Sequence, residues 1–176
     1  MSVASTQWDR AMDEAIREAQ YSRDPSTQNG AMLCDEDGTI LVGDHNRFPK
    51  GVHDHYGLNA ARWDRPLKYS YIEHAERGAI FAAAKFNICT NHRTLVAVWA
   101  ACADCARAII QSGVTRLVRL PNGGKPYNPE QWAESIDHGD IMLHEAGIEI
   151  VELDVKGPLG VGWGYEILRD GEGLAL

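Results

Sequence analysis

The chain lacks several features that would commit it to a membrane, to secretion or to a nucleic-acid surface. No segment approaches the ~20 successive apolar residues of a spanning helix. The most apolar runs, Gly78–Ala84 and Thr94–Ala103, are far shorter. The opening residues Met1–Gln7 do not have the form of a secretory leader. Cysteine is sparse: Cys34 and Cys89 are isolated, and Cys102 and Cys105 stand three apart. That is no disulfide framework, so the expectation is a reducing, cytoplasmic setting with a metal-binding or redox CxxC pair. Positive charge is also in deficit, with 17 basic against 25 acidic residues and a net charge of -8. A broad phosphate-neutralising face for long nucleic acid is therefore excluded. A small phosphorylated ligand held by a few local cations is not.

What is present suits one soluble domain. The 176 residues are 44% hydrophobic and 24% charged, enough apolar material for a core. Trp8, Met12, Ala15, Ile16 and Ala19 recur at helical spacing, which predicts a helix to about Ser22 capped by Ser5 or Thr6. Strands are predicted at Asn29–Cys34 and Thr39–Asp44, joined by a turn at Asp37-Gly38. Residues 45–70 form a long irregular segment, of a length usually tied to function. A helix over Ile72–Phe86 follows. Thr94–Ala100 reads as a strand buried on both faces. Helix Ala103–Ser112, strand Val114–Leu120, helix Pro129–Ala146 and strand Ile148–Leu153 complete the order. Strands alternating with helices predict a three-layer α-β-α sandwich, an α/β fold around a mixed five-stranded sheet. One domain is expected over residues 1–155. Residues 156–176, with six glycines, form a tail of the same domain or an oligomer contact.

Three positions carry chemistry: His74, Glu76 and the Cys102/Cys105 pair. Residues three apart on the first turn of a helix share a face, so both sulfurs can reach one ion. Helix N-termini favour the thiolate that binds metal. His74 opens the preceding helix, and in a β-α-β unit two such helix starts lie at the same end of the sheet. One imidazole and two thiolates make three zinc ligands; a structural site normally closes with a fourth, whereas a catalytic one leaves a place for water. Zinc makes that water acidic near neutrality, and Glu76 is placed to move its protons. A lone CxxC is as readily a redox pair, and a lone His at a helix start a hydrogen-bonded group. The combination His-x-Glu, twenty-five intervening residues and Cys-x-x-Cys is far more specific.

At these residues the chain resembles the zinc-dependent cytidine/deoxycytidylate deaminase family, and its deoxycytidylate branch in particular. The resemblance lies in Arg23–Ala31, Gly43–Gly51, Lys68–Glu76 and Cys102–Gly113, collinear with the family order across about residues 5–153. It implies a hydrolase that converts dCMP to dUMP and ammonia. His74, Cys102 and Cys105 are then the zinc ligands, Glu76 the proton shuttle and Asn46 a sugar contact. Ala75, Trp99, Lys50 and Tyr127 are further substrate-contact candidates. The resemblance also implies one Zn2+ per chain, a homo-oligomer with a hexamer favoured, and control by dCTP or dTTP with Mg2+. The chain departs from the family at Ala101, where proline is usual before the first Cys, at Arg47, where glycine is usual, and at Trp99. These departures touch substrate identity more than reaction type. The alternatives are another aminated nucleoside, base or modified cytosine nucleotide, or a non-catalytic zinc-binding subunit of the same fold.

The remaining polar and aromatic residues divide between ligand contact and plain packing. Arg47, Lys50, Arg62, Arg65 and Lys68 outnumber Asp54 and Asp64 in the long loop. They either meet a 5′-phosphate, together with the Arg119–Lys125 region, or pair with acidic groups. His45, His53 and His55 are a weaker candidate for a second metal. Trp63, Trp132 and Trp163 read as packing residues, and Cys34 and Cys89 as small core residues.

Overall fold

The computed structural model describes residues 6–54, 60–120 and 129–153, and the side chains of 129–131 are left aside. Tyr127, His55, the 121–126 turn and the glycine-rich tail lie outside the described residues.

Helix α1 spans Asp9–Ala19. The Asp9 carboxylate accepts the Thr6 N–H at 2.8 Å and the Thr6 hydroxyl at 2.7 Å, and that hydroxyl accepts the Trp8 N–H at 3.3 Å. Thr6 thus anchors the helix start, with Trp8 in the capping position. Strands β1 (Gly30–Cys34) and β2 (Ile40–His45) form an antiparallel pair. Two short 3-10 helices, Ala60–Trp63 and Leu67–Ser70, lie in the segment read as irregular. Then come α2 (Ala75–Lys85), β3 (Thr94–Ala97), α3 (Ala103–Gln111), β4 (Arg116–Arg119), α4 (Pro129–Glu145) and β5 (Glu149–Glu152). The sheet order is β2-β1-β3-β4-β5. β1 is antiparallel to β2 and to β3, whereas β3, β4 and β5 run parallel. β2 and β3 therefore point the same way with β1 between them. The β2–α2–β3 unit is a crossover that skips one strand, and the helix starts still fall at one end of the sheet.

The two-residue period of the strands divides the core. Ala31, Leu33, Leu95, Ala97 and Leu117 face α2, α3 and Leu143 of α4. Met32, Cys34, Val96 and Val118 face α1. Among the described residues the sandwich is asymmetric, with one helix on one face and three on the other. β3 is buried at every position, as a central strand covered on both faces must be. Gly30 lets α1 approach: a Cβ there would lie 2.0 Å from the Ala15 carbonyl oxygen.

The long loop has its own small core. Phe48 stacks on Trp63 with centroids 4.2 Å apart, Ile72 is buried beside them, and Tyr69 and Tyr71 pack against the cluster. Trp63 is thus a packing residue, as its composition suggested. Cys34 is buried as expected, but Cys89 is exposed, because the chain turns outward after α2 with Asn87 and His92 at positive φ.

Candidate active site

Two helix starts build the site. His74 precedes α2 with φ -79° and ψ 148°, and Cys102 precedes α3 with φ -69° and ψ 169°. Each stands in extended backbone at the mouth of its helix, and Cys105 lies one turn into α3. His74 Nδ1 is 3.5 Å from each of the two sulfurs. The three ligand atoms all lie within 4.8 Å of one another. A tetrahedral ion with ordinary Zn–S and Zn–N bonds sets nitrogen and sulfur about 3.6 Å apart. The donor set therefore fits zinc in both chemistry and spacing.

The electrostatics divide the three donors. A hydrogen bond with Cys105, opposed by burial and helped by His74, pulls the Cys102 thiol down to about 4. The same bond and burial push Cys105 well above the ordinary thiol range. Burial works against a charge on His74, but Cys102 and Glu76 outweigh it and raise the imidazole. Glu76 is 2% exposed, and burial lifts its carboxyl to about 7, against the pull of His74. A carboxyl held near neutral pH can both take and give a proton.

Glu76, His74 and Cys102 line one cavity together with Asn46 and Trp99. Asn46 accepts the Ala75 N–H at 2.8 Å and donates to the Thr27 carbonyl at 2.9 Å. It thereby ties the first turn of α2 to the loop before β1. Ala75 is fully buried beneath that turn and contributes its backbone rather than a cavity surface. Lys50 does not line this cavity. It borders a separate one with Tyr21, Arg23 and Arg47, because the Phe48–Trp63 stack carries the loop that way.

Among the described residues the wall holds the cation Lys68, 2% exposed. Its Nζ lies 2.8 Å from both Asp24 carboxylate oxygens and 2.5 Å from Ser26 Oγ. Burial lowers Lys68 and the carboxylate restrains that fall. Trp132 closes another side, edge-on to His74 at 5.8 Å and to Tyr69 at 5.7 Å. Asp24, Thr27, Asn29, Tyr69, Ala100, Trp132 and Ile136 are wall residues that sequence reasoning did not place in the site, whereas Lys68 stood there as one of five candidate phosphate cations. Asp24 to Asn29 and Tyr69 were visible only as parts of motif segments.

Of the other loop cations, Arg47 grips Asp44 at 2.7 and 2.6 Å, and Arg62 donates to the His53 carbonyl and lies over the Tyr71 ring. On β4, Arg119 grips Asp140 and Glu152. His45 bonds Glu18 at 2.7 Å. It groups with Glu18 and Asp44 rather than with His53, so the three-histidine cluster does not form among the described residues.

An α/β sandwich that groups an imidazole with two thiols, beside a buried carboxyl on the wall of one cavity, fits the class of zinc-dependent hydrolytic deaminases. The chain belongs to the cytidine and deoxycytidylate deaminase family, whose zinc-binding region matches residues 5–120. It is 33% identical over 144 residues to a deaminase of Aliivibrio fischeri described as uncharacterized and encoded in the luxG 3′ region, covering 76% of this chain and 84% of that one. It is 36% identical over 107 residues to a probable deoxycytidylate deaminase of Caenorhabditis elegans, covering 57% and 50%. It is 30% identical over 115 residues to the deoxycytidylate deaminase of Homo sapiens, covering 61% and 60%. The chain thus spans half to three fifths of the length of these two deoxycytidylate deaminases. The fold is shared with the dCMP deaminase of cyanophage S-TIM5 crystallised with dCMP and dUMP, at a TM-score of 0.64 and 23% identity over 82% of this chain and 95% of that one. The enzyme is a hydrolytic deaminase, and among the described residues no helix is long and apolar enough to cross a membrane.

Proposed function

We propose that the chain deaminates dCMP to dUMP, with His74, Cys102 and Cys105 holding zinc and Glu76 moving the protons. The observation that carries this reading is the buried Glu76 carboxyl on the cavity wall beside His74 and Cys102, outside the three-donor set itself. The deoxycytidylate deaminases among the relatives support the choice of nucleotide.

Zinc, when bound, supplies Lewis acidity that brings a water into reach of deprotonation at neutral pH. Glu76 accepts a proton from the attacking water and delivers it to N3 of the cytosine ring. The carboxylate then takes the second water proton from the new C4 hydroxyl and gives it to the departing amine. The C4–O bond forms and becomes the C4 carbonyl, the C4–N bond breaks, and ammonia leaves with one hydrogen from the water while the other stays on N3. Asn46 orients the sugar from its fixed place between Ala75 and Thr27. Trp99 forms an apolar wall, and its indole N–H is engaged by the Gln28 carbonyl at 2.8 Å. The three N–H groups of Lys68 are taken by Asp24 and Ser26, so the 5′-phosphate is met by other cations of residues 45–68 or of the Arg119–Lys125 region. A single domain over residues 1–155, with 156–176 as its tail or an oligomer contact, follows from length and composition, and a cytoplasmic setting from the sparse cysteine; a homo-oligomer with hexamer first and dCTP/dTTP control with Mg2+ rest on the resemblance.

The test is ammonia release by zinc-loaded protein on a panel of dCMP, deoxycytidine, free cytosine and modified cytosine nucleotides. Charge-assisted contacts are each worth about 1.5–3 kcal/mol, so two of them on the phosphate should set dCMP above deoxycytidine by two or more decades in kcat/KM. Equal turnover of the two at low salt transfers the function to a nucleoside deaminase. Zinc without any turnover transfers it to a binding subunit.

A further inference from the structure

Asn29 is 4% exposed, lines the cavity and sits between two groups that matter there. Its Oδ1 accepts the Trp99 backbone N–H at 3.3 Å, and its Nδ2 donates to Glu76 Oε2 at 3.1 Å. The first contact determines the second. A backbone N–H can only donate, so the atom facing Trp99 is the oxygen, and the amide nitrogen must face the carboxyl.

The backbone beneath this side chain is pinned from three directions. The Asn29 carbonyl accepts the Asn46 N–H at 3.0 Å, and the Gly30 carbonyl accepts the Val98 N–H at 3.1 Å. Gly30 also lies against α1 too closely for any side chain. Neither the amide nor its backbone has an easy alternative position. Glu76, by contrast, reaches the cavity on a side chain with three rotatable bonds. One of its oxygens is held by a donor fixed to the sheet.

We infer that Asn29 is a positioning residue for Glu76: its carboxamide locks one carboxylate oxygen to the end of β3, so that the carboxyl meets the reacting atoms in one orientation. The inference rests on the proton-moving role of Glu76 given above. It also couples Trp99 to Glu76 through a single amide, so the base-facing wall and the proton carrier are set by one residue. Holding a catalytic group in register is worth much rate, since misplacement by about 1 Å can cost 10²-fold.

The experiment is a double-mutant cycle on the zinc-loaded full chain with the nucleotide it turns over fastest. Asn29→Leu keeps the volume and removes both bonds. Asn29→Asp keeps the acceptor for Trp99 but sets a carboxylate against Glu76. Both should lose about 10²-fold in kcat, with KM little changed and zinc content unchanged. In the Glu76→Gln background, either change should cost little more, because the partner it positions is already disabled. Unchanged kcat in the single variants overturns the inference, and so do losses that simply add in the double variant. Near-normal turnover by Glu76→Gln alone overturns the function reading and this inference with it, which distinguishes the two failures. If Asn29→Leu does not fold, Asn29→Asp carries the same cycle.

Discussion

The two faces of the sheet are packed with different materials. On the α1 face large buried residues, Trp8, Met12, Ile16, Met32, Val96, Val98, Val118 and Leu153, outnumber the small Ala11, Ala15, Ala19 and Cys34. On the opposite face small residues prevail where α2 and α3 meet the strands: Ala31, Ala75, Ala79, Ala83, Ala97, Ala101 and Ala106. Large side chains bury more apolar area and hold a helix more strongly. Small ones let backbones approach, which brings His74 at the start of α2 within 3.5 Å of the two sulfurs of α3. One face holds the domain together and the other places the chemistry.

The sharpest division between the faces is in activity. Glu76→Gln should keep zinc and substrate binding and lose at least the 10²–10⁴-fold of general acid–base catalysis, as single-turnover ammonia release would show. Loss of zinc in that variant would make Glu76 a ligand and the site a closed one. Ile16→Ala on the opposite face, where Ile16 is 1% exposed, should cost about 2–5 kcal/mol of stability. Zinc content and kcat of the folded fraction should stay as they are. Denaturant titration beside kinetics checks both, and a matching fall in kcat would mean that the faces are not separable.

A pH series sharpens the contrast. Burial lifts Glu76 from 4.5 to about 7, so metal-free protein should be most stable, with respect to this group, below pH 4.5. That contribution is lost as pH rises through about 7, since the folded state must then ionise a buried carboxyl. The shift corresponds to a loss on the order of 3 kcal/mol. Glu76→Gln should remove this part of the pH dependence, and identical stability profiles for the two proteins would refute it. The smallest effect is expected at Ala101, which is fully buried beside Cys102. Ala101→Pro should add about 0.4–1 kcal/mol by restricting the unfolded chain. A lowered melting temperature would show that the turn before α3 does not accept the proline φ.

How much of this was legible in the sequence follows from the range of each signal. The helices and strands were readable because periodicity is local, and their observed ends differ by a few residues at most. The donors were readable because CxxC on a helix start and a histidine on the one before need only the connection order to meet. The insertion of β1 between β2 and β3 was not readable, since pairing is decided by the whole sheet. Asn29 was invisible as a site residue for the same reason: its two partners lie 47 and 70 residues away in the chain. Lys50 and Lys68 share one loop and one charge, and composition could not rank them. The Phe48–Trp63 stack and the 3-10 helix Leu67–Ser70 carry Lys50 to another cavity and bury Lys68 beside Asp24.

The central claim is that the α2 and α3 starts supply a three-donor zinc site that leaves Glu76 free to carry protons. X-ray absorption at the zinc edge of the loaded protein tests it most directly. The account predicts two sulfurs at about 2.3 Å, one imidazole nitrogen at about 2.0 Å and one further light-atom ligand, with the same spectrum from Glu76→Gln. A first shell that changes in Glu76→Gln, or a protein that binds no zinc and cycles Cys102 and Cys105 as a disulfide, would contradict it.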